Sequence, residues 1–381
     1  MRKRYLAFLG TLAAVIAVAS VSPAAQGPKA GEGKAATTKT GTPPRTVWGD
    51  PDLQGIWRNF SGVPTERTKQ YAGREFLTDE EVVAKQRQAE KQAEDDVAGE
   101  SETTDVVGLP SYNGTWVTSG EPVRVSRRTS AIVDPLNGRF PPWTPEQLKR
   151  WEVREALARD RGEGDSWEDR GMSERCLSTV MTGLNYGANV GLNQVKQIVQ
   201  GPGYVAMVIE TINGYDYRII SLGGHPAPGP AIRQWLGDAR GHWEGKTLVV
   251  EIANFNDKQD GGPIIPSSRN LGTNYAGSGE RLRVIERFTP VDPQTLEYRY
   301  TIDDPQTYTR PYTVVQELTR DDHYMVLPSQ CHEGNDGLAG QLASARADEK
   351  GAQENASLFR RERRQRIEDL KAEWASWQNS R

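Results

Sequence analysis

Between Val195 and Leu327 the chain passes through about eight short runs of β-branched and aromatic residues: Val195 to Gln200, Tyr204 to Glu210, Tyr217 to Leu222, Thr247 to Ile252, Leu282 to Thr289, Thr295 to Asp303, Tyr312 to Thr319 and Tyr324 to Leu327. Their connectors include Gly201-Pro202-Gly203, Asn213-Gly214 and Val291-Asp292-Pro293-Gln294, turn formers of the kind that join antiparallel strands. A succession of hairpins leaves two sheet edges to protect, and closing the sheet on itself removes both. The pattern predicts a mainly β fold: an antiparallel up-and-down barrel of calycin or lipocalin type over residues 195–335, with flanking helices. A β-sandwich is the alternative that the same runs allow.

The stretch Trp235 to Phe255, WLGDARGHWEGKTLVVEIANF, reads as a polar, glycine-punctuated loop feeding the clearest strand of the chain, with Asp238, His242, Trp243 and Glu244 crowded into the loop. Strand alternation groups Glu210 with Tyr204, Ala206 and Val208, Glu251 with Val249, Ala253 and Phe255, and Glu286 with Leu282, Val284 and Phe288. A carboxylate inside an apolar barrel has its pKa raised by desolvation, which suits general acid or base work. One at a strand end or on a solvated face does not, and spacing leaves both placements open. Arg218 follows Glu210 across the Asn213-Gly214 turn and is placed to pair with it across a hairpin. Cys331-His332-Glu333-Gly334-Asn335 gathers an imidazole, a carboxylate and an amide in one turn of a chain that has four histidines. The expected site therefore has Glu210, Asp238 and His332 as catalytic groups, with Arg218, Trp235, Trp243, Glu251, Glu333 and Asn335 around the substrate.

Several chemistries drop out as first choices. His225, His242, His323 and His332 stand in no HExxH or close His-x-His spacing, and there is no CxxC, so no metal is expected. The chain has no GxSxG elbow, dinucleotide fingerprint or P-loop in strand–turn–helix context, and no cofactor is expected. The expected partner is a small molecule.

Arg2, Lys3 and Arg4 precede an apolar run from Tyr5 to Val21, and Ser22 and Ala24 fit a signal-peptidase site. This predicts a cleaved signal peptide over residues 1–25 and a periplasmic or secreted protein without stable membrane insertion. The whole chain carries a formal net charge of −4, and losing the signal removes three cations. Nucleic acid and anionic lipid are thus unexpected partners. Cys176 and Cys331 are the two cysteines, and in an oxidising compartment a single disulfide is the economical reading.

Residues 26–46 have the composition of a disordered linker. Residues 47–194 read as a wrapping segment. In it, Trp48 and Trp57 are expected packing anchors, and helices are expected over Leu77 to Asp96, after a Thr78 start signal, and within Pro142 to Arg161, after Thr144-Pro145. Residues 336–381 read as C-terminal helices with internal ion pairs.

WGDPDLQGIW, SRRTSAIVDPLNGR, the Arg218-Ile219-Ile220 strand, GDARGHWEGKTLVVEIANF, ERFTPVDPQTLEYRYTIDDP and CHEGN together resemble a widespread family of uncharacterised secreted bacterial proteins. The resemblance spans nearly the whole mature chain and implies export, without an established activity. The chain departs from that pattern at His225 and between Ala239 and His242. The functional expectation is a cofactor-independent enzyme of lyase, isomerase or hydrolase type, acting on a small apolar or aryl substrate in the barrel. The alternative is a calycin-like protein that binds such a molecule without catalysis.

Overall fold

The computed structural model describes residues 44–59, 63–98, 125–158, 165–167, 175–176, 195–211, 214–224, 226–256, 281–326, 336–351, 361–369 and 371–372. The signal peptide, most of the linker, His225, and the Cys331 to Asn335 turn lie outside them.

β1 (Gly55–Arg58) and β2 (Ile132–Asp134) come from the wrapping segment. β3 (Val195–Gly201), β4 (Tyr204–Thr211) and β5 (Gly214–Ser221) form one meander, and β6 (Asp238–Glu244), β7 (Thr247–Ala253), β8 (Arg283–Asp292), β9 (Thr295–Asp303) and β10 (Tyr312–Arg320) form another. β1 pairs antiparallel with both β3 and β10, so that β1 and β3 to β10 close a nine-strand barrel. Being short, β1 meets only the last residues of β10, and β2 pairs with the first ones.

The barrel is mixed, which corrects the purely antiparallel expectation. Strand direction cannot alternate around a ring of odd number, so one neighbouring pair has to be parallel. That pair is β5 and β6, through Ile220–Ala239 and Ser221–Arg240. A parallel pair needs a long connection, and residues 222–237 supply it. Gln234 anchors the end of this connection, its N–H donating to Asn254 O at 3.0 Å while its carbonyl accepts from Asn256 N–H at 2.9 Å.

Seven of the runs picked out by composition are strands, with small shifts at their ends; Tyr324 to Val326 is not one. The Asp238 to Glu244 stretch, expected as a loop, is β6. Its period-2 pattern explains this: Ala239, Gly241 and Trp243 point inward, while Asp238, Arg240, His242 and Glu244 point out. Gly241 is required where β5 passes, because a Cβ there would stand 2.7 Å from Leu222 Cδ2 and 2.8 Å from Ile220 Cγ2.

The core lines the inside of the barrel. Ile198, Val205, Met207, Ile209, Ile220, Leu248, Val250, Ile252, Val284 and Phe288 are almost fully buried, and rings of Phe288 and Tyr298 stack at 4.7 Å. Trp57 anchors β1 as expected: it is buried and donates from Nε1 to Leu53 O at 2.8 Å. Trp48 is exposed instead. Phe140 packs edge-on to Tyr312 at 5.1 Å, tying the wrapping segment to β10.

Both helices expected in that segment are present as α1 (Asp79–Ala98) and α2 (Pro145–Ala158). Thr78 opens α1 with a reciprocal cap, accepting from Glu81 N–H at 3.3 Å while its own N–H donates to Glu81 Oε2 at 2.8 Å. Thr144 caps α2 through Gln147 N–H at 3.1 Å, with Pro145 in the first turn. α3 (Asp336–Gly351) follows the barrel.

Candidate functional site

Inside a closed barrel every second residue of each strand is removed from water, so a polar side chain there needs a partner. Six strands nevertheless send polar groups inward. β3 contributes Lys196, β5 contributes Asp216 and Arg218, β6 contributes Trp243, β8 contributes Glu286, β9 contributes Tyr298 and Tyr300, and β10 contributes Tyr312 and Gln316.

Arg218 and Glu286 are 3% and 0% exposed and form the centre. Arg218 Nη2 lies 2.7 Å from Glu286 Oε2, and Nη1 donates to Oε1 at 3.2 Å. Tyr298 Oη donates to the same Oε1 at 2.6 Å. One guanidinium hydrogen bond, one close ion-pair contact and a phenol thus hold the carboxylate. Burial and the adjoining Glu286 raise the Tyr298 hydroxyl well above its ordinary range, which keeps it a donor. Tyr300 is raised by the same two causes.

Lys196 is 1% exposed. Its Nζ lies 5.2 Å from the centroid of the Tyr298 ring and has no hydrogen-bond partner among the described residues. Burial pulls its pKa down from 10.5 to about 8, against the pull of Glu286. Asp216 Oδ2, Trp243 Nε1 and Glu286 Oε2 also lack a hydrogen-bond partner among the described residues. Burial pushes the Asp216 carboxyl up to about 6, opposed by Arg218. The arrangement holds the Arg218–Glu286 ion pair, the Lys196 ammonium, the Asp216 carboxyl, which is ionised above about 6, and polar groups whose bonding capacity is unused.

The residues expected from sequence are distributed differently. Arg218 does not pair with Glu210; it reaches Glu286, on the other side of the barrel. Glu210 lies on the face of β4 opposite to Val205, Met207 and Ile209, buried against the following segment, and accepts from Tyr324 Oη at 2.6 Å. Beside it, the Arg58 guanidinium covers the Tyr324 ring at 4.5 Å and binds Asp321 Oδ2 at 2.6 Å. Asp238 faces outward and is held by Arg240 Nε at 2.6 Å. Register puts Asp238 level with Ile219 and hence with Ala206, so Glu210 is displaced by about 13 Å along the strand direction. Glu251 is exposed on the outer face of β7. Trp235 sits in the β5–β6 connection, 36% exposed. Trp243 faces inward and packs on the core. His332, Glu333 and Asn335 lie outside the described residues, as does Cys331; no cysteine among the described residues is free.

Glu286 is therefore the one of the three face-sharing glutamates that enters the barrel, and Lys196 is an interior residue that sequence reasoning missed. A signal for Glu286 was available. The alternate faces of β4 (Val205, Met207, Ile209) and β7 (Leu248, Val250, Ile252) are wholly apolar and belong inside, whereas in β8 the glutamate sits on the more apolar face. Lys196 carried no such signal, since Val195, Gln197 and Val199 look the more apolar face of β3.

Among the described residues, no group of three or more His, Cys, Asp or Glu side chains is placed to hold a metal ion, and no helix is long and apolar enough to cross a membrane. Set against family models, curated proteins and solved structures, the chain matches none.

Proposed function

We propose that the protein is an exported, calycin-like binder of a small, largely apolar molecule, which it holds inside the barrel. The observation that carries this reading is the buried Lys196 Nζ without a hydrogen-bond partner among the described residues, near the Arg218–Glu286–Tyr298 centre and among the apolar side chains of the core. Ligand sites are typically apolar cavities with a few convergent polar groups, and a scaffold with no ligand would be better served by an apolar residue at position 196. The basic n-region and apolar run at the N-terminus support export, and the motif resemblance to secreted bacterial proteins supports the same compartment. A panel of naphthalene and long-chain probes, read by tryptophan fluorescence and thermal shift, tests the proposal. Saturable binding that raises Tm is expected, and no saturable binding across the panel ends it.

A cofactor-independent lyase, isomerase or hydrolase is the second reading. It is favoured by one observation, a lysine with a pKa of about 8 beside a carboxylate and a phenol, which is suited to proton transfer near neutrality. Glu210 and Asp238 face away from this interior, so the proton-transfer groups of such an enzyme would be Lys196 and its neighbours. Turnover of any probe, abolished in Lys196→Met with binding retained, would move the assignment to this reading.

A further inference from the structure

Resting on the reading of the barrel as a small-ligand site, we propose that the ligand is an organic acid whose anionic group is met by Lys196 Nζ. The charges and bonds inside the barrel lead to this. Glu286 is already engaged: Oε1 accepts from Arg218 Nη1 and Tyr298 Oη, and Oε2 stands 2.7 Å from Arg218 Nη2 as an ion-pair contact. Its charge is matched by Arg218, and Lys196 Nζ makes no hydrogen bond to it. A lysine ammonium has three donors and no acceptor, and the one group seen beneath it is the Tyr298 ring. A neutral carbonyl would satisfy a donor but leave the ammonium without an anion in direct contact in a medium of low polarity. A carboxylate or a comparable anion satisfies both. The apolar residues around it, Ile198, Met207, Ile209 and Phe288 among them, suit an aryl or alkyl body.

The titratable groups facing Lys196 allow its contribution to be read by pH. Asp216 titrates near 6, below the useful window. Tyr298 and Tyr300 are raised above it, and Glu286 is tied to Arg218. From about 8 upward, Lys196 is the interior group that changes charge.

The test is calorimetric titration of the exported chain with 2-naphthoate and with 2-naphthylmethanol, its uncharged counterpart. At pH 6.5 the acid is expected to bind at least about tenfold more tightly than the alcohol. Its affinity should fall by about tenfold between pH 7.5 and 9.5, with proton uptake on binding near pH 8.5, while the alcohol shows neither effect. In Lys196→Met the preference for the acid should vanish. The wild-type pH series and the proton uptake stand without the variant, should it not fold. Equal affinity for the two probes in the wild type, or a preference for the acid that survives in Lys196→Met, overturns the inference and leaves the ligand site standing. Failure of both probes and of the wider panel overturns the ligand site itself.

Discussion

Arg218 Nη2 stands 2.7 Å from Glu286 Oε2, although β6 and β7 separate the strands that carry them in the wall. The pair therefore crosses the barrel and does not follow the sheet.

Removing one member of this pair leaves the other charge buried without the group facing it. Glu286→Gln and Arg218→Met should each destabilise the fold by about 3–5 kcal/mol. Changing both, as Arg218→Met with Glu286→Leu, should cost far less than the sum. Urea unfolding followed by circular dichroism measures the coupling; additive single costs would remove the pair as an energetic unit.

Lys196 makes the stability of the unliganded protein depend on alkaline pH. Its folded pKa, about 8, is below the ordinary 10.5, so between these values the unfolded chain binds more protons. Stability from this group thus rises as pH goes from about 8 to 10.5, by on the order of 3 kcal/mol. Lys196→Met should lack the rise and be more stable at pH 7. Asp216 acts with the opposite sign: its pKa is raised from 3.8 to about 6, so its contribution is complete below 3.8 and is lost as pH climbs through 6. Thermal melts across pH for wild type, Lys196→Met and Asp216→Asn check both; superimposable profiles would refute the assignments.

Gly237 and Gly245 both have positive φ, +70° and +63°, but differ in surroundings. A Cβ at Gly237 would come within 2.7 Å of Ala253 O and of Ile252 Cγ2, whereas at Gly245 nothing lies within 4 Å. Gly245→Ala should cost about 1–2 kcal/mol from backbone conformation alone. Gly237→Ala should cost about 2 kcal/mol more, because backbone must move. Equal losses in urea unfolding would show that the connection before β6 yields easily.

The proposed Cys176–Cys331 disulfide predicts that unreduced exported protein is lighter by two hydrogens and takes up no alkylating agent. Cys176→Ser should then lose about 4–5 kcal/mol of stability in the chain-entropy picture. Two alkylated thiols in protein isolated from the oxidising compartment would dismiss the link.

Much of the barrel could be read from composition, because strands buried on one face carry their own period. β8 and β9 are clear cases, with buried and less buried residues alternating along Arg283 to Thr289 and Thr295 to Asp303. The capping residues Thr78 and Thr144 were equally legible, since a cap is a local event. Closure itself was expected from the two edges, but the strand that makes it was not: β1 is four residues long and meets strands far along the chain. The parallel pair was hidden for a related reason: with β1 overlooked, the strand count gave no hint that direction had to repeat. The site was misread at Glu210 and Glu251 because one face of each strand was considered without weighing the other.

The ring also has a consequence for how the molecule could come apart. The four strands β1, β3, β4 and β5 make one curved panel and β6 to β10 another. Their two seams are short: Ile220–Ala239 with Ser221–Arg240 on one side, Trp57–Arg320 with Arg58–Thr319 on the other. Arg218 and Lys196 belong to the first panel, Glu286 and Tyr298 to the second, so the charges in the lumen act as bolts between two shells. Amide exchange should therefore begin along these seams, and whatever neutralises Lys196 should tighten them together.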